Sequence, residues 1–209
     1  MRDDDWNRNH GDSEEYTSSI HQRTEELYRI PDGETDSDGY LECPVLILRD
    51  IVVFPRMISP LFVTPGSNLL AIQEAQYNEQ TMIALVQQDP EVEDPKPEDF
   101  LPVGVEIAVG RLLNMPDGNN SGLVQGRRRV EIVEFIQEEP FFKVRARVVD
   151  ETIHVTRHVD ALMRTTRDLF QKCVQLDRSL PDEAHLFSLN ISEPGWLADM
   201  VATAISLPL

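Results

Sequence analysis

A run of apolar, strand-like pieces broken by prolines constrains the fold more than any other stretch of this chain. Within Cys43 to Val63, the pieces Val45–Leu48 and Ile51–Phe54 predict two strands. Pro55 closes the second piece, and Pro60 lies inside a third. Because proline cannot donate to a strand ladder, we expect both prolines at strand ends, edges or bulges. The run therefore predicts a buried, bent β segment that forms scaffold and carries no obvious catalytic group.

The charge of the chain is strongly acidic and unevenly distributed. Its 209 residues include 37 acidic and 19 basic side chains, which gives a net charge of −18. Thirteen of the acids but only four of the bases lie within residues 1–42. Few apolar side chains occur there, so residues 1–40 are predicted to be a disordered acidic leader. The overall sign argues against a dedicated binder of nucleic acid or of an anionic membrane.

Cysteine usage and hydropathy point to the cytoplasm. Cys43 and Cys173 are 130 positions apart and form no C-x-x-C pair, which favours free thiols in a reducing compartment. No stretch approaches about 18 uninterrupted apolar residues, and the first thirty residues lack the apolar core of a signal peptide. We therefore expect a cytoplasmic protein without a transmembrane helix.

Short strands dominate the region up to about residue 150. A helix predicted over Ser67–Asn78 and a strand over Thr81–Gln87 precede a loop, Asp89–Pro97, that is rich in proline and acid. Further alternating strands follow, with a turn signal at Pro116–Gly118. Six or seven strands in about a hundred residues predict a small, strongly bent sheet or barrel over residues 41–152.

The apolar period then changes from that of strands to that of helices. One stripe at helical spacing predicts a helix of about six turns; its members are Val155, Val159, Leu162, Met163, Thr166, Leu169, Phe170, Cys173 and Val174. A short piece, Asp182–Leu189, precedes a final helix that opens near Pro194. Residues 153–209 are thus a predicted helical subdomain. Its last apolar residues have nothing evident to pack against, so we expect it to be truncated at its C-terminal end.

Several motifs in the same order resemble the N-terminal domain of bacterial Lon, the ATP-dependent protease. They comprise Pro44–Asp50 with Phe54–Pro55, Gln88–Asp94 with Pro97–Asp99, Val103–Gly104, Met115–Gly118 and the SEPGWLADMVA segment of the last helix. The resemblance covers about residues 43–209, while the acidic leader has no counterpart. It implies an α+β fold, namely a PUA-like β-barrel followed by a helical subdomain. In the family this region captures unfolded or tagged substrates and helps to hold a homohexamer together.

No catalytic or cofactor site is predicted in this chain. It contains no G-x-x-x-x-G-K-[ST] phosphate loop, and nothing corresponds to the Ser–Lys dyad of the family's peptidase. The resemblance implies that ATP and Mg²⁺ belong to a motor domain absent from this chain. His154 and His158 have metal-ligand spacing, but ordinary surface histidines at a helix start are the favoured interpretation.

Capture of unfolded chains would need exposed apolar side chains. The candidates are Met57, Ile58, Leu61, Phe62, Phe100, Leu101, Leu112, Leu113 and Met115. Strands of this composition usually face a core, and the sequence does not separate exposed members from buried ones. A second feature is a basic ridge of Arg127, Arg128, Arg129, Lys143, Arg145 and Arg147. It could contact nucleic acid or pair with glutamates across strands, and it lacks interleaved aromatics for base stacking.

The leading hypothesis is a non-catalytic substrate-recognition domain of a Lon-type protease that degrades misfolded and short-lived regulatory proteins. Its expected partners are unfolded protein substrates and, in the full-length enzyme, further copies of the same chain. The alternative is a stand-alone PUA-like interaction or adaptor protein, with nucleic acid as a candidate partner.

Overall fold

The computed structural model describes residues 24–150 and 156–205. The strands are β1 (Tyr40–Leu48), β2 (Ile58–Val63), β3 (Met82–Val86), β4 (Val103–Val109), β5 (Leu113–Asn114), β6 (Asn120–Gln137) and β7 (Lys143–Val148). The helices are α1 (residues 24–29), α2 (Ser67–Tyr77), α3 (Arg157–Leu176), α4 (Asp182–Leu189) and α5 (Pro194–Ala204), with a 3₁₀ turn at Pro97–Asp99.

The sheet closes on itself through its longest strand. Neighbours follow the order β6–β4–β3–β1–β7, and β7 pairs again with β6. The 18-residue β6 pairs with both β4 and β7. Register shifts occur in both pairings, and such irregularities bend the strand so that it reaches both partners. β2 and β5 both pair with the first part of β6 and form a three-stranded flap with residues 120–125. The predicted α+β fold, a bent barrel followed by helices, is confirmed.

Two apolar cores lie on opposite faces of this sheet. The barrel interior holds Leu41, Cys43, Val45, Ile83, Leu85, Val130, Val144 and Ala146. Three rings, those of Phe100, Phe135 and Phe142, pack at centroid distances of 5.4 to 5.8 Å at one end of the barrel. The outer face is covered by α2, whose buried Ala71, Ile72 and Ala75 join a core with Leu46, Met82 and Ile107.

The other end of the barrel is polar. Glu106 lies opposite Ile83, so its carboxylate enters the interior and is fully buried. Its oxygens accept hydrogen bonds from Thr81 Oγ1 at 2.7 Å, Arg128 Nε at 2.5 Å and the Gly33 main-chain N–H at 2.6 Å. A buried carboxylate is tolerated only with such partners.

Residues 24–39 correct the prediction of a disordered leader over residues 1–40. Leu27, in α1, is fully buried and lies close to Gly110. The Arg127 guanidinium donates to the carbonyls of Leu27 and Ile30, which gives hydrogen-bond donors to main-chain acceptors at the C-terminal end of α1. Polar anchoring of main-chain groups therefore orders a segment that has few apolar side chains. Residues 1–23 lie outside the described residues.

Residues 51–54 differ from their predicted strand. They connect β1 to a single bridge between Pro55 and Gly126, and the next strand begins only at Ile58. Pro60 lies in β2, which among the described residues has a neighbouring strand on one side only. The expected edge position of that proline is confirmed.

The three C-terminal helices pack around a separate core. Met163, Phe170 and Val174 of α3 are buried with Leu197 and Met200 of α5. Thr156 caps α3, since its side chain accepts a hydrogen bond from the Val159 N–H. Two members of the predicted apolar stripe, Leu162 and Leu169, are instead exposed, because the packed face of α3 is narrower than the stripe.

Candidate substrate-binding surface

A row of side chains crosses the flap on its solvent-exposed face. Phe62 of β2 and Leu113 of β5 both pair with Ser121 of β6, from opposite sides. Directly paired residues project from the same face of a sheet, so the two apolar side chains flank the small Ser121. Phe62 is 72% exposed and Leu113 45% exposed.

The alternation of β2 explains why Phe62 is exposed. Leu61 and Val63 point inward and are buried in the outer-face core. Pro60 and Phe62 have the opposite orientation and face solvent. Full burial of a phenylalanine side chain is worth about 1.5–3 kcal/mol, so this exposed ring retains that free energy for a partner.

A tight turn holds Met115 beside this row. The Gly118 N–H donates to the Met115 carbonyl at 3.0 Å, and the Met115 N–H donates to the Asn119 carbonyl at 2.8 Å. Gly118 has φ of 86°, a left-handed conformation suited to glycine. Hydrogen bonds from the Asn119 main chain and side chain lower the pKa of Asp117 and fix the loop further. Met115 is thereby kept exposed next to Leu113.

The structure separates the nine apolar candidates into distinct environments. Phe62, Leu113 and Met115 are exposed together on the flap, and Leu101 is exposed elsewhere, beside Val103. Met57, Ile58 and Leu112 are half-buried. Leu61 and Phe100 are each 4% exposed and belong to the two cores. The last two are corrected from candidates to core residues, because their alternation and ring packing direct them inward.

A groove lies along the free side of β2. It has a volume of about 740 Å³, and its walls include Ile47, Ile51 and Pro65 as well as Phe62. Ile51 is exposed and was missing from the sequence candidates, because it was assigned to a strand that does not form. Pro60 and Pro65 in its walls are the available sequence signal for the groove, because proline marks strand ends and edges.

The basic ridge is dispersed over separate protein partners. Arg127 and Arg128 bind the segment that contains α1, and Arg129 pairs with Asp199 of α5. The other three side chains pair with acids: Lys143 with Glu74, Arg145 with Asp36 and Arg147 with Glu131. All six are therefore engaged within the described residues. Arg147 with Glu131 and Arg145 with Glu42 pair with glutamates across neighbouring strands. This arrangement gives the nucleic-acid alternative no support.

Comparison with known sequences identifies the family. The family model described as ATP-dependent protease La (LON) substrate-binding domain matches residues 42–209. The chain belongs to the Lon substrate-binding domain family. This match confirms the resemblance deduced from the motifs over residues 43–209.

Individual relatives agree with this assignment. The chain is 34% identical over 173 residues to the Lon protease of Halothermothrix orenii, covering 82% of this chain and 22% of the relative. It is 37% identical over 167 residues to the Lon protease of Azospirillum brasilense, covering 79% and 20%. This Lon substrate-binding domain thus spans about a fifth of the length of these curated relatives.

A solved structure supports the fold. The N-terminal domain of a Mycobacterium avium complex Lon protease superimposes with a TM-score of 0.63 at 21% identity. The match covers 79% of this chain and 84% of that one. Barrel and helices together are therefore an architecture that a known Lon N-terminal domain shares.

The described helices and titratable side chains bear on membrane and metal binding. Among the described residues, no helix is both long and apolar enough to cross a membrane. Residues 24–150 and 156–205 contain no group of three or more side chains suited to a metal ion. His154, one of the two histidines at metal-ligand spacing, lies outside these residues.

Proposed function

We propose that this chain is the substrate-recognition part of an ATP-dependent Lon-type protease that degrades misfolded and short-lived regulatory proteins. Its binding surface would be the flap row, with Phe62 and Leu113, together with the neighbouring Met115. The observation that carries the proposal is the exposed Phe62 beside Leu113 on one face of a substrate-binding domain. Unfolded proteins expose apolar segments that folded proteins bury, so an apolar surface discriminates between the two states.

We assign the chemistry to the rest of the proposed enzyme. The relatives are about five times longer than their matched region, which leaves room for motor and peptidase domains. ATP, Mg²⁺ and the peptidase serine would reside there, and this chain would act without catalysis or cofactor. We also propose that it contributes to a homohexamer in the full-length protein and works in the cytoplasm.

Binding to an unfolded protein is the direct test. The 209-residue chain is titrated with a fluorescently labelled, permanently unfolded protein and, separately, with the same protein in its folded form. We expect binding to the unfolded form only. Equal failure to bind both forms would refute the capture role.

Variants assign the binding to the flap. Phe62→Ser combined with Met115→Ser should weaken binding by about 10-fold or more, because the lost apolar contact is worth at least about 1.4 kcal/mol. The matched control is Tyr77→Ser, which removes a ring that is 87% exposed on α2 and is not part of the flap row. A similar loss in both variants would show that binding is not located on the flap.

A further inference from the structure

The outer edge of β2 has unpaired main-chain groups. In β6, the Leu123 carbonyl accepts from the Gly110 N–H, on the side away from β2. Its paired residue, Pro60, consequently points its own main-chain groups away from β6 as well. Gly126, three residues further on, instead bonds with Arg56 and Met57 on the β2 side. These bonds fix which residues of β2 direct their main-chain groups toward β6 and which direct them outward.

This alternation determines which groups the edge presents. Ser59, Leu61 and Val63 bond to β6, whereas Ile58, Pro60 and Phe62 face outward. Pro60 has no N–H, so the edge offers two donors, the N–H groups of Ile58 and Phe62, and three carbonyl acceptors. None of these five groups has a hydrogen-bond partner within the part of the chain that the structure describes.

The groove beside this edge is closed on its other wall. The Asn68 side-chain amide accepts from the Ile47 N–H and donates to the Ile47 carbonyl, both at 2.9 Å. It thereby occupies the place of a neighbouring strand at the end of β1. The Arg49 guanidinium donates to the Glu93 carbonyl across the same region. The free edge in the groove is thus that of β2, next to the exposed Phe62.

We propose that an extended segment of an unfolded polypeptide adds to the outer edge of β2 as a further strand. This inference rests on the proposed function and specifies how the substrate is held. Main-chain hydrogen bonds do not depend on side-chain identity, so strand addition suits a domain that accepts many sequences. From Ile58 to Phe62 the edge spans about 13 Å, enough for about five residues of the added segment.

Side chains of the segment supply selectivity. Alternate side chains would contact Phe62 on the flap face, while the intervening ones would face the groove walls formed by Ile47 and Ile51. Pro60 removes the central donor of the edge. A second copy of β2 would bring a second such proline, so pairing between two copies is disfavoured. A proline in the segment, opposite an outward carbonyl of β2, would remove one of its own donors in the same way.

Main-chain methylation of a peptide separates this mode from side-chain contact alone. The probe is a fluorescently labelled eight-residue peptide of alternating valine and threonine. A second peptide has the same sequence with N-methyl groups on its two central residues, which blocks both of its edges. The native 209-residue chain should bind the second peptide at least 10-fold more weakly. Equal binding of both peptides would overturn strand addition and leave apolar capture intact. Binding of neither peptide by a chain that still binds the unfolded protein would also overturn strand addition, whereas loss of binding to the peptides and to the unfolded protein would refute the proposed function itself.

Two protein variants test the same edge. Phe62→Ala removes the ring but keeps the outward N–H, and Phe62→Pro removes both while leaving the ladder to β6 intact. We expect Phe62→Pro to bind the unmethylated peptide at least 5-fold more weakly than Phe62→Ala, with unchanged circular dichroism. Equal affinities of the two variants would contradict the proposal. A concentration-dependent dimer that excludes the peptide, detected by sedimentation, would assign the edge to a second copy and also overturn it.

Discussion

Arg129 of the barrel and Asp199 of the last helix form a two-point ion pair. The two terminal guanidinium nitrogens lie 3.1 and 2.5 Å from the two carboxylate oxygens. Asp199 is nearly buried, so the geometry that satisfies both oxygens also avoids an isolated buried charge. This pair joins β6 directly to α5, and with it the barrel to the helical subdomain.

Replacing one partner of this pair should destabilise the chain. Asp199→Asn leaves the Arg129 charge without its carboxylate, and we expect the free energy of unfolding to fall by about 2–4 kcal/mol. Urea denaturation followed by tryptophan fluorescence measures the change, since Trp196 lies on α5. The double variant Arg129→Met with Asp199→Leu should recover more than half of the loss. A double variant as unstable as the single one would contradict a specifically charge-based cost.

A methyl group at Gly33 should detach the segment that contains α1. An added Cβ would lie 2.9 Å from Glu106 Oε1 and 3.0 Å from both Leu41 Cδ2 and Thr81 Oγ1, which is too close for carbon. In Gly33→Ala, amide hydrogens of residues 24–36 should exchange at least 10-fold faster, because the segment loses its bond to the buried carboxylate. Hydrogen-exchange mass spectrometry measures this rate.

The neighbouring Glu34→Ala provides the matched control for that experiment. Glu34 is exposed, so its replacement should leave exchange in the same segment unchanged. Unaltered exchange in Gly33→Ala would show that Glu106 does not anchor the segment. Faster exchange across the whole barrel would indicate that the anchor stabilises more than the segment.

The two thiols should differ in reactivity. Burial raises the pKa of Cys43 to about 11, whereas Cys173 is half-exposed. At pH 8 a disulfide reagent should therefore modify one thiol in the folded chain and two in guanidinium. Cys173→Ser should reduce the folded count to zero, and rapid modification of that variant would contradict the burial of Cys43.

The raised pKa of Cys43 also predicts a loss of stability at alkaline pH. The folded state retains the Cys43 proton above pH 9.0, the ordinary pKa of the thiol, while the unfolded state releases it. This stabilising contribution is fully present below pH 9 and is lost as the pH approaches 11. Unfolding measurements at several pH values should show a shallower decline for Cys43→Ala than for the native chain.

The barrel and its family could be predicted from local patterns, but the exposed flap row could not. Strand alternation, prolines and ordered motifs depend on neighbouring residues and are visible in the sequence. Leu61, Phe62 and Val63 are all apolar, so their alternation alone does not say which face is covered. The placement of Phe62 and Leu113 on either side of Ser121 arises only when both strands pair with β6.

Polar anchoring was also beyond local patterns. Glu106 alternates with valines as a solvent-facing residue would, yet closure of the barrel buries both faces of β4. The segment before Tyr40 is ordered by main-chain bonds to Arg127 and Arg128, which lie about a hundred residues away. Composition describes what a segment can bury, and it does not register donors supplied by a distant strand.

The three consecutive arginines of β6 also determine the order in which contacts can form during synthesis of the chain. Arg127 reaches back 100 positions to Leu27 and Arg128 reaches back 95 positions to Gly33, while Arg129 must await Asp199, 70 positions ahead. Closing such long loops is slow, because their entropy must be lost before the contacts form. Residues 24–36 also emerge from the ribosome well before Arg127 and Arg128 have been synthesised. Their assembly with the barrel, and the barrel's attachment to α5, are expected to be among the last steps of biosynthesis.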